Sequence, residues 1–155
     1  MNAENSDNSN KKGRFAFKIT VVGPDDDLVM DVLRVLNEQV ISLDGIRIST
    51  TQVETDDSDV RMLLMSPKHS ALDVLLGVTF RGASAALIVM PEEDSDIEAV
   101  YRTEIEDEIG EGTPVKVIIC ESSCVDDFKR NEIAYALDEL VGRLLESRNH
   151  PIDEN

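Results

Sequence analysis

Two apolar runs, residues 83–90 (ASAALIVM) and 114–120 (PVKVIIC), constrain the fold more than any other feature of the chain. Neither alternates polar with apolar residues, so both faces of each must be buried. That is the pattern of interior strands in a parallel sheet with helices on either side. Their neighbours fit the same scheme. Residues 94–109 have helical spacing and stop before Gly110 and Gly112, and residues 15–22 (FAFKITVV) read as another strand, closed by Gly23 and Pro24.

After Pro24, the run Asp25, Asp26 and Asp27 can cap a helix whose Leu28, Val32, Leu33 and Leu36 share one face. Asp44-Gly45 marks a turn. Ile46, Ile48 and Val53 lie in a second strand, and residues 60–65 (VRMLLM) form a third that Ser66-Pro67 ends. Residues 71–82 are expected to be helical. Asp126 or Asp127 caps a last helix, with Ile133, Leu137, Leu140, Val141, Leu144 and Leu145 on one apolar face. The order is β-α-β-β-α-β-α-β-α. A parallel crossover needs about a dozen residues, and the few residues between Glu54 and Val60 allow only a hairpin loop. The second and third strands must then pair antiparallel, with the second at a sheet edge. The expectation is a three-layer α/β domain over residues 14–148, with a mainly parallel five-stranded sheet and one antiparallel edge hairpin. A disordered tail (1–13) and a frayed end (149–155) flank it.

Thirty-two acidic residues against 15 basic ones leave a net charge of −17. Nucleic acid or an anionic membrane would be repelled at long range, so neither is an expected partner. Solubility or a high-salt cytoplasm would account for such acidity. The first ten residues are polar, which predicts no secretory signal, and a cytoplasmic location is expected. Cys120 and Cys124 are spaced C-x3-C with no His nearby. A closed zinc site needs about four ligands, so packing is the expected role of these cysteines.

The element order and three short motifs resemble the Ras-like small GTPases. Lys18-Ile19-Thr20-Val21-Val22-Gly23 is similar to that family's first strand and the opening Gly of its phosphate loop. Phe80-Arg81-Gly82-Ala83-Ser84-Ala85-Ala86-Leu87-Ile88-Val89 is similar to the stretch entering the fourth strand, and Thr113-Pro114-Val115-Lys116-Val117-Ile118-Ile119 to the fifth. The resemblance covers roughly residues 15–124 and implies a truncated G-domain fold. The alternative, a receiver-like doubly wound α/β fold, would place a helix between Ile48 and Val60 and a phospho-acceptor Asp where Met65 stands.

The functional positions depart from the family. A phosphate loop reads G-x-x-x-x-G-K-[ST], in which backbone N–H groups and the Lys hold phosphate and the hydroxyl holds magnesium. Counted from Gly23, its last three places hold Leu28, Val29 and Met30, and three carboxylates precede them. The magnesium-side Asp of the family falls on Met65, and His69 on the place of the water-orienting Gln. The base-reading N-K-x-D is replaced by Cys120-Glu121-Ser122-Ser123-Cys124, and the sixth strand of a full G domain is expected to be missing. The resemblance thus implies a degenerate, non-catalytic member that binds no cofactor and scaffolds another protein. Family members of prokaryotic type often partner roadblock or longin-like proteins, and a homo-oligomer stays open. Candidate interface residues are Ile46, Ile48 and Val53 on the edge strand, with Lys68, His69 and Leu72 in the switch-like region. A second reading is an acidic rim binding a cation or ligand, in which Asp25, Asp26 and Asp27 are the weak metal candidates.

Overall fold

The computed structural model describes residues 13–68, 77–121 and 126–149, of which residues 148 and 149 are described by backbone alone. Its elements are β1 (Gly13–Val22), α1 (Asp26–Leu36), β2 (Ile41–Leu43), β3 (Ile46–Glu54), β4 (Ser58–Pro67), β5 (Ala85–Met90), α2 (Ser95–Glu108), β6 (Val115–Ile119) and α3 (Asp127–Asn149). A helical turn at residues 77–80 precedes β5. The six strands form one sheet in the order β2-β3-β4-β1-β5-β6. β1 runs parallel to both β4 and β5, and β5 parallel to β6, whereas β3 pairs antiparallel with β4 and β2.

The expected hairpin is present: Val53 pairs with Val60 and Ile48 with Met65. A tight turn joins these strands, so the crossover helix of a receiver-like fold has no place there. The five-stranded expectation needs correction, because β2 adds a sixth strand. Asp44 (φ 52°) and Gly45 (φ 86°) both adopt left-handed backbone. This is the two-residue hairpin turn whose twist suits the flanking strands. It folds Leu43 back onto Ile46 and Ile41 onto Ile48. β3 is therefore covered over residues 46–48 and is an edge only from residue 49 onward. β1 begins at Gly13, whose N–H donates to the Asp57 carbonyl (3.0 Å), so the last residue of the expected tail belongs to the sheet.

Alternation along the strands sorts side chains to two faces. Phe17, Ile19 and Val21 of β1, with Val60, Met62 and Leu64 of β4, join α1 and α3 in one core. Leu28, Val29, Val32 and Leu33 of α1 are all buried there, each contributing about 1.5–3 kcal/mol by area. Val22, Ala86, Ile88 and Met90 face the other way, into a smaller core with Phe80 and with Tyr101 and Ile105 of α2. The helical turn is fastened to β1 on that side: Lys18 Nζ donates to the Val78 and Arg81 carbonyls (3.0 and 2.6 Å), and Thr20 Oγ1 to the Thr79 carbonyl (2.9 Å). Among the described residues no helix is long and apolar enough to cross a membrane.

Candidate functional site

The carboxyl ends of parallel strands are where α/β proteins commonly hold ligands. Here β1 reaches α1 through only Gly23, Pro24 and Asp25. Gly23 is fixed by close approach, since a Cβ there would run into the Val89 carbonyl oxygen at the end of β5. Asp25 is the N-cap, and its Oδ1 accepts from the N–H groups of Asp27 and Leu28 (both 3.1 Å). Free amides of this kind are what a helix N-terminus offers to an anion. Asp94 caps α2 in the same way through Asp96 and Ile97 (both 3.1 Å), and Asp126 Oδ1 accepts from Lys129 N–H (2.8 Å) at the start of α3. The described helices α1, α2 and α3, which follow β1, β5 and β6, each carry their own carboxylate at the end facing this rim.

The positions matched to a phosphate loop lie inside α1: Leu28 and Val29 are buried and Met30 is half-buried. Met65 is not at a strand end. β4 continues to Pro67, and Met65 sits between Thr20 and Ile48 across the sheet. Asp25 is engaged as a cap, Asp26 pairs with Arg47, and Asp27 is exposed. Among the described residues no three His, Cys, Asp or Glu side chains are grouped to hold a metal ion. Cys120 is fully buried at the end of β6, where burial pushes its thiol pKa up. Cys124 lies outside the described residues.

Arg47 belongs to no motif of the sequence, yet it is the most constrained charge of the rim. Its residue exposure is 1%. Nη1 donates to the Asp26 carbonyl (2.8 Å), and Nη2 donates to Asp26 Oδ1 (3.2 Å), Ser66 Oγ (3.3 Å) and the Pro67 carbonyl (3.1 Å). Burial lowers its pKa, and the Asp26 carboxylate opposes that shift. The guanidinium ties the first turn of α1 to the end of β4. The only hint in the sequence is an Arg set between two isoleucines in a strand.

Arg47 also exposes an inversion along β3. Its polar residues Arg47 and Ser49 are buried on the core side, whereas Ile46 and Ile48 face outward and are only half-buried. The strand registers arrange that outward face in rows. Leu43, Ile46 and Pro67 form one row and Ile41, Ile48, Met65 and Thr20 the next. Thr50, Leu63 and Lys18 follow, then Gln52, Arg61 and Ala16, and last Glu54, Asp59 and Arg14. Ile41 and Leu43 are 64% and 60% exposed, and Leu63 is 37% exposed. The middle rows line an open groove of about 910 Å³ that extends to Gly82 and Ser84.

The predicted interface residues separate on this face. Ile46 and Ile48 belong to it. Val53 does not, because alternation turns it inward against the main core. Lys68 is exposed, and its N–H donates to the Gly45 carbonyl (2.8 Å). His69 and Leu72 lie outside the described residues. In comparison with known proteins, no family model matches the chain, and no curated protein matches it.

Proposed function

We propose that this chain is a non-catalytic relative of the Ras-like small GTPases, a pseudo-GTPase that neither binds nor hydrolyses GTP and docks another protein on the outward face of β2, β3 and β4. The observation that carries this reading is the inversion on β3. Buried Arg47 and Ser49 and outward Ile46 and Ile48 leave an apolar patch, continued by Ile41, Leu43 and Leu63, on the surface of a highly charged protein. Contiguous exposed apolar surface of this kind marks interaction sites. β2 at the sheet edge adds unpaired backbone groups that a partner strand can use.

Loss of nucleotide binding is supported by the three-residue β1–α1 connection and by the Asp25 carboxylate on the amides a phosphate would need. An incoming phosphate would meet three aspartates, and like charges about 4 Å apart cost about 1–4 kcal/mol per pair at effective dielectrics of about 80 to 20. The acidic-rim reading is less well supported, since Asp25 and Asp26 already have partners within the fold. The resemblance makes roadblock- and longin-like proteins, and a second copy of the chain, the first partners to test.

The test has two arms. Titration with GTP, GDP or ATP and magnesium should show no saturable binding below about millimolar, so that micromolar nucleotide leaves the melting temperature unchanged. A photo-crosslinking side chain at Ile48 should capture a discrete protein in cells of the source organism, while one at exposed Val100 on α2 should not. Stabilisation by micromolar GTP, or equal capture from both positions, would sink the proposal.

A further inference from the structure

The groove on the open sheet face has a charge opposite to that of the protein around it. Among the described residues two cations, Lys18 and Arg61, line it, and no carboxylate does, in a chain with 32 acidic and 15 basic residues. Arg61 is exposed, and no hydrogen bond or ion pair links it to another described residue. The Arg81 carbonyl accepts from Lys18 Nζ, and the Arg81 guanidinium is close enough to lower the Lys18 pKa after burial has done so. Arg14 lies one row further along. Among the described residues of this face, carboxylates return in that last row, where Asp59 accepts from Gln52 Nε2 (2.6 Å) and Glu54 is exposed at the hairpin end. Toward the other end the face becomes apolar through Leu63, Met65, Ile48 and Ile41.

Resting on the protein-docking reading, we infer that the partner contributes an acidic amphipathic segment. Its carboxylates lie beside Arg61 and Lys18 and its aliphatic side chains over Leu63, Met65 and Ile48. Successive outward residues of a strand are about 6.6 Å apart, so Arg61 and Met65 are separated by about 13 Å. A partner helix covers that distance with a carboxylate and an aliphatic residue about eight or nine positions apart, and a partner strand with the two about four positions apart. Complementary charge speeds encounter and excludes basic competitors. The apolar rows hold the partner once it has arrived.

Selection of random 16-residue displayed peptides on the full chain tests this. The enriched peptides should combine two or more carboxylates with aliphatic residues. Their synthetic forms should bind at least about tenfold more weakly to Arg61→Glu. Replacing a peptide Glu by Lys should restore binding to that variant. Arg61 is exposed and unpaired with described residues, so circular dichroism should report an unchanged fold, and Arg61→Ala should fall between the two. Enrichment of neutral or basic peptides that Leu63→Asp still abolishes would overturn the acidic partner while leaving the docking face in place. No enriched peptide, together with no crosslink from Ile48, would remove both. A fluorescent oligonucleotide that binds the wild type and is lost in Arg61→Glu would reassign the groove to nucleic acid.

Discussion

Arg47 Nη2 lies 3.2 Å from Asp26 Oδ1, and through this contact a guanidinium almost wholly withdrawn from solvent holds the start of α1 against the sheet. The Asp26 side chain is partly exposed and can be hydrated if its partner is removed, whereas the carbonyls of Asp26 and Pro67 would lose the same donor. Arg47→Ala should destabilise the fold by about 2–4 kcal/mol, from the cavity and the orphaned acceptors together. Arg47→Met should cost less, because a side chain of similar length fills the cavity that Ala leaves, although the acceptors stay orphaned in both. Urea unfolding of the three proteins checks the order. A loss under about 0.5 kcal/mol for Arg47→Ala would contradict the clamp.

Asp25 caps α1 with one carboxylate oxygen on two amides. Asp25→Asn should change stability by no more than a few tenths of a kcal/mol, since Asn caps about as well, and Asp25→Ala should cost about 1 kcal/mol. Equal effects of the two changes in thermal unfolding would show that the charge, and not the cap, matters.

Tyr101 is buried in the smaller core, and burial, with a further push from the Asp26 charge, raises its phenol from 10.0 to about 12. The folded state therefore favours the neutral phenol. The associated stability is present below pH 10 and is lost as pH rises from 10 toward about 12. Ultraviolet titration should show a late tyrosine ionisation that disappears in Tyr101→Phe, and that variant should lose less stability across the same interval. A Tyr101→Phe protein with the same alkaline loss as the wild type would refute this.

Leu63 and Leu64 are neighbours on β4 with opposite environments, one partly exposed on the open face and one fully buried in the main core. Leu64→Ala should cost about 2–5 kcal/mol, and Leu63→Ala about 0.5 kcal/mol or less. Partner capture should respond in the reverse order. A large stability loss at Leu63 would mean that this face belongs to the core and is not a docking surface.

The strands β1, β5 and β6 and the helices α1, α2 and α3 are legible because each signal is local, whereas most of the helix expected over residues 71–82 lies outside the described residues. The run that forms β5 is apolar throughout and fully buried, the run that forms β6 is apolar but for Lys116 and half-buried at the sheet edge, and Asp94 and Asp25 stand where the caps form. β2 escaped detection because three residues carry no period, although its Asp44-Gly45 turn was visible. Ile46 and Ile48 are legible as part of an edge strand, but the sequence of the strand does not show that they take its outward face. Arg47 was passed over for a related reason. Burial of an arginine is favourable only when carbonyls from two distant segments, α1 and β4, converge on it, and one strand's sequence carries no trace of that convergence. Val53 enters the expected interface only through membership of an edge strand, which does not by itself say which face a residue takes.

The inversion on β3 also bears on how the chain folds. Slipping β3 by one residue against β4 would turn every side chain to the opposite face. Ile46 and Ile48 would then enter the core, and Arg47 and Ser49 would reach water. Over residues 46–49 hydrophobicity alone prefers that arrangement, although Val53 would leave the core, so the native register competes with a plausible local misfold and is held by four hydrogen bonds from Arg47 and by the turn at Gly45. This is frustration localised to one strand, and the outward placement of Ile46 and Ile48 is its source.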